Sequence, residues 1–253
     1  MQKGFLIEIE TKNIFNNKKY CELADKHKKM INTMFGPDIS DDTLIKSDLC
    51  EEYSKPDIYI EIGNIRKYIS IKSGTCNSVH SEELKTLILY LRSIGISKRT
   101  QKTLLLFHYG DGTLDGTGEK RYWCEDLMKI MKKDIEIMNK ELNDKEVIKK
   151  MMYRFVFAGV HNPNLVVDYI YFVRDKSETL TSREDLLNLV LNREHDYITK
   201  PQIGPMTVQP YLRDVNRVSK HPYKREIVQI KWNGLKGDVK RANYFANCNR
   251  NNL

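Results

Sequence analysis

The sequence has few cysteines, and none of them stands in the close pairs that bind metals or form redox sites. The five are scattered and odd in number: Cys21, Cys50, Cys76, Cys124 and Cys248. No CxxC pair occurs, which argues against both a disulfide framework and a zinc cluster. A reducing cytoplasm is the compartment that fits such a chain best.

Long apolar runs are also missing. No stretch approaches the ~18 apolar residues of a membrane-spanning helix, and the opening MQKGFLIEIE reaches acidic residues too early for a signal peptide. We therefore expect a soluble, cytoplasmic protein. The chain has 253 residues, of which 40% are hydrophobic, and this is enough for a sizeable core.

Positive charge is in excess. The 42 Lys and Arg residues outnumber the 34 Asp and Glu residues, for a formal net charge of +8. Such an excess is compatible with a polyanionic partner such as nucleic acid, although many basic proteins bind none. Charge alone therefore permits nucleic-acid binding without establishing it.

Hydrophobic periodicity predicts a chain that mixes helices and strands. Helical spacing covers residues 15–35 and ends at Gly36-Pro37. The nearly all-apolar run 103–110 is typical of a strand buried on both faces. The remaining predicted elements are helices at 84–91, 122–142, 146–158 and 182–194, and strands at 165–175 and 225–232.

The segment 55–74, KPDIYIEIGNIRKYISIKSG, predicts a β-hairpin, because apolar and polar residues alternate on both sides of a Gly-Asn pair. A two-residue turn places Asp57 opposite Ser70, and a four-residue turn places Asp57 opposite Lys72. Both leave Asp57 and Lys72 on one face of the hairpin.

An aspartate and a lysine in this arrangement suit phosphodiester hydrolysis. A divalent metal neutralises the phosphate oxygens and lowers the pKa of a bound water. Mg²⁺ takes oxygen ligands, typically including one or two carboxylates. A neighbouring lysine orients the attacking water and offsets charge in the transition state.

Pro56-Asp57, the short hairpin and Ser70-Ile71-Lys72 resemble the PD-(D/E)xK signature of many type II restriction endonucleases and related DNA nucleases. The predicted order helix, strand, strand, helix, strand is similar to that family's core over roughly residues 15–110. The resemblance implies an α/β fold with a restriction-endonuclease-like core, in which helices flank a mixed central sheet. We expect one domain over 1–253, with an α+β C-terminal elaboration at roughly 160–253 for recognition or dimerisation.

The same resemblance implies a Mg²⁺-dependent endonuclease that cuts duplex DNA, with Mn²⁺ as a substitute metal. It also implies a homodimer, since one such site cuts one strand at a time. A repair or phage-defence nuclease of the same fold is the first alternative. A catalytically silent nucleic-acid-binding module is the second.

Ser70 departs from the family pattern, which has Asp or Glu at this position. In one branch of restriction enzymes a serine stands here, and a glutamate from the following helix supplies the missing charge. The segment HSEE offers Glu82 and Glu83 for this role, and the resemblance favours Glu82 as a metal ligand beside Asp57. Glu61 shares a face with Asp57 but lies about 13 Å along the strand, too far for one metal.

Other residues are weaker candidates. His80 and Glu22 are accessory candidates, His80 for a contact with the phosphate or a metal-bound water and Glu22 as an acid on the first helix. Ordinary structural roles for both are at least as well supported. The loop GDGTLDGTG, with Asp111 and Asp115, is interpreted as a surface loop, since it lacks the Lys-Ser/Thr of a P-loop and the acid spacing of an EF-hand.

The C-terminal part offers candidates for DNA contacts. Gln229 and Lys231 alternate along the predicted late strand, and Lys236 follows in a basic segment. Gln and Lys side chains suit contacts with base edges and phosphates. A solvated basic tail explains the same residues equally well.

Overall fold

The computed structural model describes residues 3–74, 77–174, 177–194, 200–216 and 219–251. The chain divides into two compact units. Unit 1 comprises Met1–Cys76, Tyr153–Leu189 and Leu235–Leu253, and unit 2 comprises Asn77–Met152 and Val190–Gly234. Each unit is therefore built from separated stretches of sequence. The single domain expected over 1–253 stays a prediction.

Helices and strands alternate along the described residues. The helices are α1 (Lys3–Phe15), α2 (Asp25–Phe35), α3 (Leu84–Ser93), α4 (Lys98–Tyr109), α5 (Cys124–Ile130), α6 (Lys132–Leu142), α7 (Lys145–Met152), α8 (Arg183–Leu191) and α9 (Leu235–Asn251). The strands are β1 (Lys18–Lys19), β2 (Leu44–Leu49), β3 (Ile58–Ile62), β4 (Ile65–Ser73), β5 (Ser78–Glu83), β6 (Tyr169–Arg174), β7 (Ser177–Ser182), β8 (Gln202–Ile203), β9 (Met206–Pro210) and β10 (Ile227–Lys231). Tyr20–Glu22 and Pro222–Glu226 form 3₁₀ turns, and Tyr153–Ala158 is π-helical.

Unit 1 contains a mixed sheet with the strand order β1-β2-β3-β4-β6-β7. Neighbouring strands are antiparallel except for β4 and β6, which run parallel. Side chains from α2 and from the sheet share one buried core, which includes Ile31, Ile58, Ile60 and Ile69. The predicted α/β class, with helices flanking a mixed sheet, is confirmed at this level.

The predicted hairpin is confirmed as β3 and β4. Ile62 pairs with Ile65 across Gly63-Asn64, so the turn has two residues. Gly63 has φ 59°, a conformation that glycine adopts without the steric cost a Cβ would add. Of the two registers that the sequence allowed, the structure has the one in which Asp57 lies opposite Ser70.

The prediction of a strand at 103–110 is wrong, because this run lies in helix α4. Leu104, Phe107 and His108 are buried, which is the i, i+3, i+4 pattern of one helical face. Ser97 caps the helix by accepting a hydrogen bond from Thr100 N–H, and Gly110 ends it with φ 63°. Leucine-rich runs of this length do not separate a strand from a helix by periodicity alone.

Three further boundaries differ from the predictions. Of the helix expected at 15–35, only the second half is confirmed, as α2; strand β1 and the 3₁₀ turn Tyr20–Glu22 occupy the first half, and α1 was not predicted. The helix expected at 122–142 is divided into α5 and α6, and α7 covers the first half of the one expected at 146–158. The strand at 165–175, the helix at 182–194 and the strand at 225–232 are confirmed with shorter bounds as β6, α8 and β10.

Unit 2 contains an antiparallel sheet with the order β5-β10-β9-β8. Its core is apolar, with Val208, Val228, Ile230 and Trp232 almost completely buried. Helix α4 packs against β9, and α6 against β8. Across the described residues of both units, no helix has the length and apolar character to cross a membrane.

Candidate active site

Asp57 lies at the open end of the hairpin, directly before β3. Its carboxylate oxygen Oδ2 accepts hydrogen bonds from Ser70 Oγ at 3.1 Å and from the backbone N–H of Ile71 at 2.5 Å. Its own backbone N–H donates to Ile69 at 2.9 Å. Among the described residues the hydrogen bonds to this carboxylate end on Oδ2, so Oδ1 remains available to a ligand.

Ser70, the residue that replaces the family's acid, is buried in β4 and 1% exposed. Its hydroxyl donates to Asp57 and thereby orients that carboxylate. A hydroxyl donor at this position hydrogen-bonds the Asp57 carboxylate, whereas a second carboxylate would repel it. The serine therefore has a definite role in the geometry, as a positioning group for Asp57.

The side chain of Lys72, on β4, extends towards the Asp57 carboxylate. Its Nζ lies 3.8 Å from Asp57 Oδ2 and 3.3 Å from the backbone carbonyl oxygen of Ile71. The N–H and C=O of one strand residue point to the same side. Because the Ile71 N–H meets Asp57, the Ile71 carbonyl faces this site as well.

Glu8 of α1 is a second acid at the site, and it was not among the residues predicted from the sequence. Burial raises the pKa of the half-buried Glu8 carboxyl, the negative charge of Asp57 raises it further, and the positive charge of Lys72 lowers it. The two carboxylates line one cleft, together with Phe5, Cys50 and Tyr53; we call it the Asp57 cleft. Apolar residues are spread around α1 with almost no helical periodicity, so the sequence carries little signal for this helix or for the position of Glu8.

The pKa values of two more groups, Lys55 and Cys50, are shifted at this site. Burial lowers the pKa of the Lys55 ammonium to about 7; Lys72 lowers it further and Asp57 opposes the shift. Burial raises the pKa of the Cys50 thiol to about 12, and the charge of Asp57 adds to this rise. The end of the hairpin is thus a place where charges of both signs are concentrated in a partly dehydrated environment.

Glu82 and Glu83 lie in unit 2, at the end of strand β5, and the prediction that they begin a helix is wrong. They pair with Val228 and Ile227 of β10, and α3 begins one residue later at Leu84. Backbone pairing with β10 therefore extends the strand through both acids. Whether Glu82 shares a metal with Asp57 stays a prediction.

His80 lies beside Glu82 on the same strand. The Nε2 atom of His80 is 3.3 Å from Glu82 Oε1, and the side chains are 10% and 5% exposed. Residues two apart on a strand point to one face, which explains the contact. The structure thus brings the two sequence candidates together, as a buried pair.

The other acidic candidates have local structural roles. The carboxylate of Glu22 accepts a hydrogen bond from the backbone N–H of Lys19 at 2.8 Å and closes a 3₁₀ turn. Asp111 accepts from Thr113 and Gly118, and Asp115 from Thr117. In the described part of the chain, no group of three or more His, Cys, Asp or Glu residues is arranged to hold a metal ion.

Gln229 and Lys231 lie on the half-buried polar face of β10. Gln209 Nε2 donates to Gln229 Oε1 at 3.2 Å, and Gln229 Nε2 is 3.3 Å from Ser78 Oγ. Arg213 in turn donates a hydrogen bond to the side-chain oxygen of Gln209. We call this row, Arg213, Gln209, Gln229 and Ser78, the polar ladder of unit 2.

Lys236 does not belong to that row. It lies on α9 in unit 1 and is half-buried. The segment interpreted as a basic tail is therefore largely the 17-residue helix α9. The three DNA-binding candidates are thus divided between the two units.

Comparison with known proteins does not assign the chain to a family. No protein-family model matches the chain, and no curated protein sequence matches it.

Proposed function

We propose that the chain is a metal-dependent DNA endonuclease with a restriction-endonuclease-like core in unit 1. The observation that carries the proposal is the arrangement at the end of the hairpin. An aspartate held by Ser70 and Ile71 lies next to an ammonium group, and a second carboxylate lines the same cleft. Acid, lysine and open cleft are the parts that phosphodiester hydrolysis needs.

The topology of unit 1 supports the proposed core. In unit 1, helix α2 is followed by strands β2, β3 and β4, the helical segment Tyr153–Ala158 and strand β6. This order has one strand more before the hairpin than the order predicted for residues 15–110, and its second helix and last strand come from beyond residue 110. The last strand pairs in parallel with β4, the strand that carries Ser70 and Lys72. Residues 77–152 are inserted between these parts of the core.

The donor set fits a hard divalent cation. Asp57 Oδ1, the Glu8 carboxylate and the Ile71 carbonyl are all oxygen donors, and Mg²⁺ binds through one or two carboxylates while keeping several waters. Burial raises the pKa of Glu8 and the negative charge of Asp57 raises it further; a cation bound by both carboxylates would relieve that repulsion. Mg²⁺, or Mn²⁺ in its place, would supply charge neutralisation and a more acidic water.

The chain's own residues then prepare the reaction. Ser70 and the Ile71 N–H fix the orientation of Asp57. The Lys72 ammonium, 3.8 Å from Asp57, donates hydrogen bonds to a phosphate oxygen or the attacking water and stabilises the negative charge of the transition state. Because Lys72 is 20% exposed, its position is partly fixed and still accessible to substrate.

Duplex DNA is the proposed substrate, and restriction of foreign DNA is the proposed role. The net charge of +8 favours a polyanion. The polar ladder displays amide and guanidinium groups of the kind that read base edges, with Lys231 beside it. Cleavage of both strands by a site that cuts one strand at a time calls for a homodimer.

Cleavage of long duplex DNA tests the proposal. The protein is incubated with DNA in Mg²⁺ or in EDTA, beside Lys72→Ala and Asp57→Asn. Lys46→Ala, an exposed lysine on β2, is the matched control. We expect discrete fragments that require metal, and a loss of about 100-fold or more in Lys72→Ala.

Other results would redirect the proposal. Smears or nicks at structured DNA would indicate a repair or defence nuclease of the same fold. Binding without cleavage in wild type and variants alike would leave a silent nucleic-acid-binding module. Full activity in Lys72→Ala would remove this site from the reaction.

A further inference from the structure

Tyr53 stands out in the wall of the Asp57 cleft. Its ring is 75% exposed, although an aromatic side chain gains most from burial. Its backbone has φ 64°, the left-handed region that bulky residues rarely occupy. Exposure and an unfavourable backbone conformation thus coincide at one residue of the cleft.

The local hydrogen bonds explain how the conformation is held. The backbone N–H of Ser54 donates to the Glu51 carbonyl at 3.1 Å, which makes Tyr53 the third residue of a β-turn. A positive φ at that position is typical of a type II turn, where glycine is the usual residue. The Ser54 hydroxyl donates to the Pro56 carbonyl at 2.9 Å and links the turn to the residue before Asp57.

The Tyr53 ring has an aromatic neighbour in His161. Its centroid lies 6.0 Å from that of the exposed His161, with an angle of 57° between the planes. A planar group cannot enter between rings so close and so tilted. Because the ring is largely exposed, a planar ligand has room to cover it away from His161.

The charges around Tyr53 select the part of a nucleotide that can approach it. Glu51 and Glu52 precede it and are exposed, and Glu51 is hydrogen-bonded by Asn162 at 3.0 Å. Two carboxylates repel a phosphate, whereas a base has a neutral π-face that stacks on an aromatic ring. The turn therefore suits a base and disfavours the backbone.

We propose that Tyr53 stacks on a nucleobase next to the phosphate that is cut, and so holds that base unpaired from its partner while the duplex is bound. The inference rests on the proposed nuclease function. Tyr53 would be a positioning residue, because it holds the strand while Asp57 and Lys72 face the phosphate. Left-handed strain in a bulky residue is the kind of cost that functional sites retain.

Fluorescence of 2-aminopurine tests the stacking separately from cleavage. The base analogue is placed unpaired in an oligonucleotide duplex, and quenching is titrated with Lys72→Ala protein in Ca²⁺. In that background Tyr53→Phe is expected to keep the quenching. Tyr53→Ala and Tyr53→Gly are expected to lose it and to bind about 10-fold more weakly.

Two controls make the result specific. Tyr244→Ala removes a ring that is 65% exposed on α9 and is expected to change nothing. Tyr53→Gly should melt at or above the temperature of Tyr53→Ala, since glycine accepts the positive φ, so weaker binding cannot be ascribed to unfolding. Equal quenching and affinity in Tyr53→Ala would overturn the inference. Tyr53-dependent quenching in a wild type that cleaves no DNA would overturn the nuclease function and leave the stacking intact.

Discussion

Asp57 and Glu82 are the two carboxylates that the family resemblance implies as ligands of one metal, and their surroundings differ. Asp57 stands before its strand, its side chain is 23% exposed, and Lys72 lies beside it. Glu82 stands within its strand, its side chain is 5% exposed, and its neighbour is His80. An open carboxylate with its second oxygen available can take a ligand, whereas an enclosed one must first lose its partner. Glu8 resembles Asp57 in this respect, and we propose it as the second acid.

Substituting the two glutamates separately gives the largest expected effect. Glu8→Gln is expected to lower the initial rate of Mg²⁺-dependent DNA cleavage by about 100-fold, because it removes one of two charged oxygen donors. Glu82→Gln is expected to stay within about threefold of wild type, since His80 can hydrogen-bond an amide. The reverse order of the two rates would assign the role to Glu82, as the resemblance implies.

Replacing Ser70 with the acid that the family has at this position tests through stability whether Asp57 binds a metal. Ser70→Asp places a buried carboxylate against Asp57, and in EDTA we expect a loss of about 3 kcal/mol in the free energy of unfolding. Mg²⁺ should recover most of it by binding between the two acids. Ser47→Asp is the control, since Ser47 is also buried in the sheet at 2% exposure. Metal rescue of both variants, or of neither, would contradict a metal site at Asp57.

His108 tests acid sensitivity in unit 2. Burial lowers its pKa to about 4, against an unfolded value near 6.5. The unfolded chain therefore takes up a proton first, and stability falls from about pH 6.5 down to pH 4, by up to about 3 kcal/mol. His108→Gln keeps a donor for the Arg225 carbonyl, which His108 Nε2 meets at 2.6 Å, and should flatten the thermal-unfolding midpoint over this range. The exposed His161→Gln is the control, and an equally flat profile there would exclude His108 as the cause.

Glu8 is expected to have the smallest effect on stability, and its pH dependence has the opposite sign to that of His108. Its folded pKa is raised, so the ionised carboxylate opposes folding once the pH exceeds that value. Glu8→Gln is expected to melt about 1–2 °C above wild type at pH 7, a small gain because solvent screens a half-exposed group. The gain should vanish below pH 4. Glu10→Gln, exposed on the same helix, should show no gain, and a matching gain there would point to net charge instead.

The hairpin was predictable because its signals are local. The alternation around Gly63-Asn64 indicates both strands and their faces within twenty residues, which puts Asp57 and Lys72 on one face, whereas the turn length and the register remained open until the structure showed them. The strand assigned to 103–110 failed because Leu104, Leu105 and Leu106 fit either period until the packing partners are known. Glu8 was missed because its approach to Asp57 depends on how α1 packs against the sheet, about fifty residues away in sequence.

The parallel pairing of β4 with β6 affects how the protein folds during its synthesis. Tyr68 N–H donates to Asp168 Oδ2, a contact between residues 100 positions apart, and most of unit 2 is synthesised between them. During translation β4 leaves the ribosome with one edge unpaired, and an open edge is a template for association between chains. Contacts this distant along the chain also form slowly. The β6-facing edge of the strand that carries Ser70 and Lys72 is thus paired late, and a chaperone that shields that edge should raise the yield of folded protein.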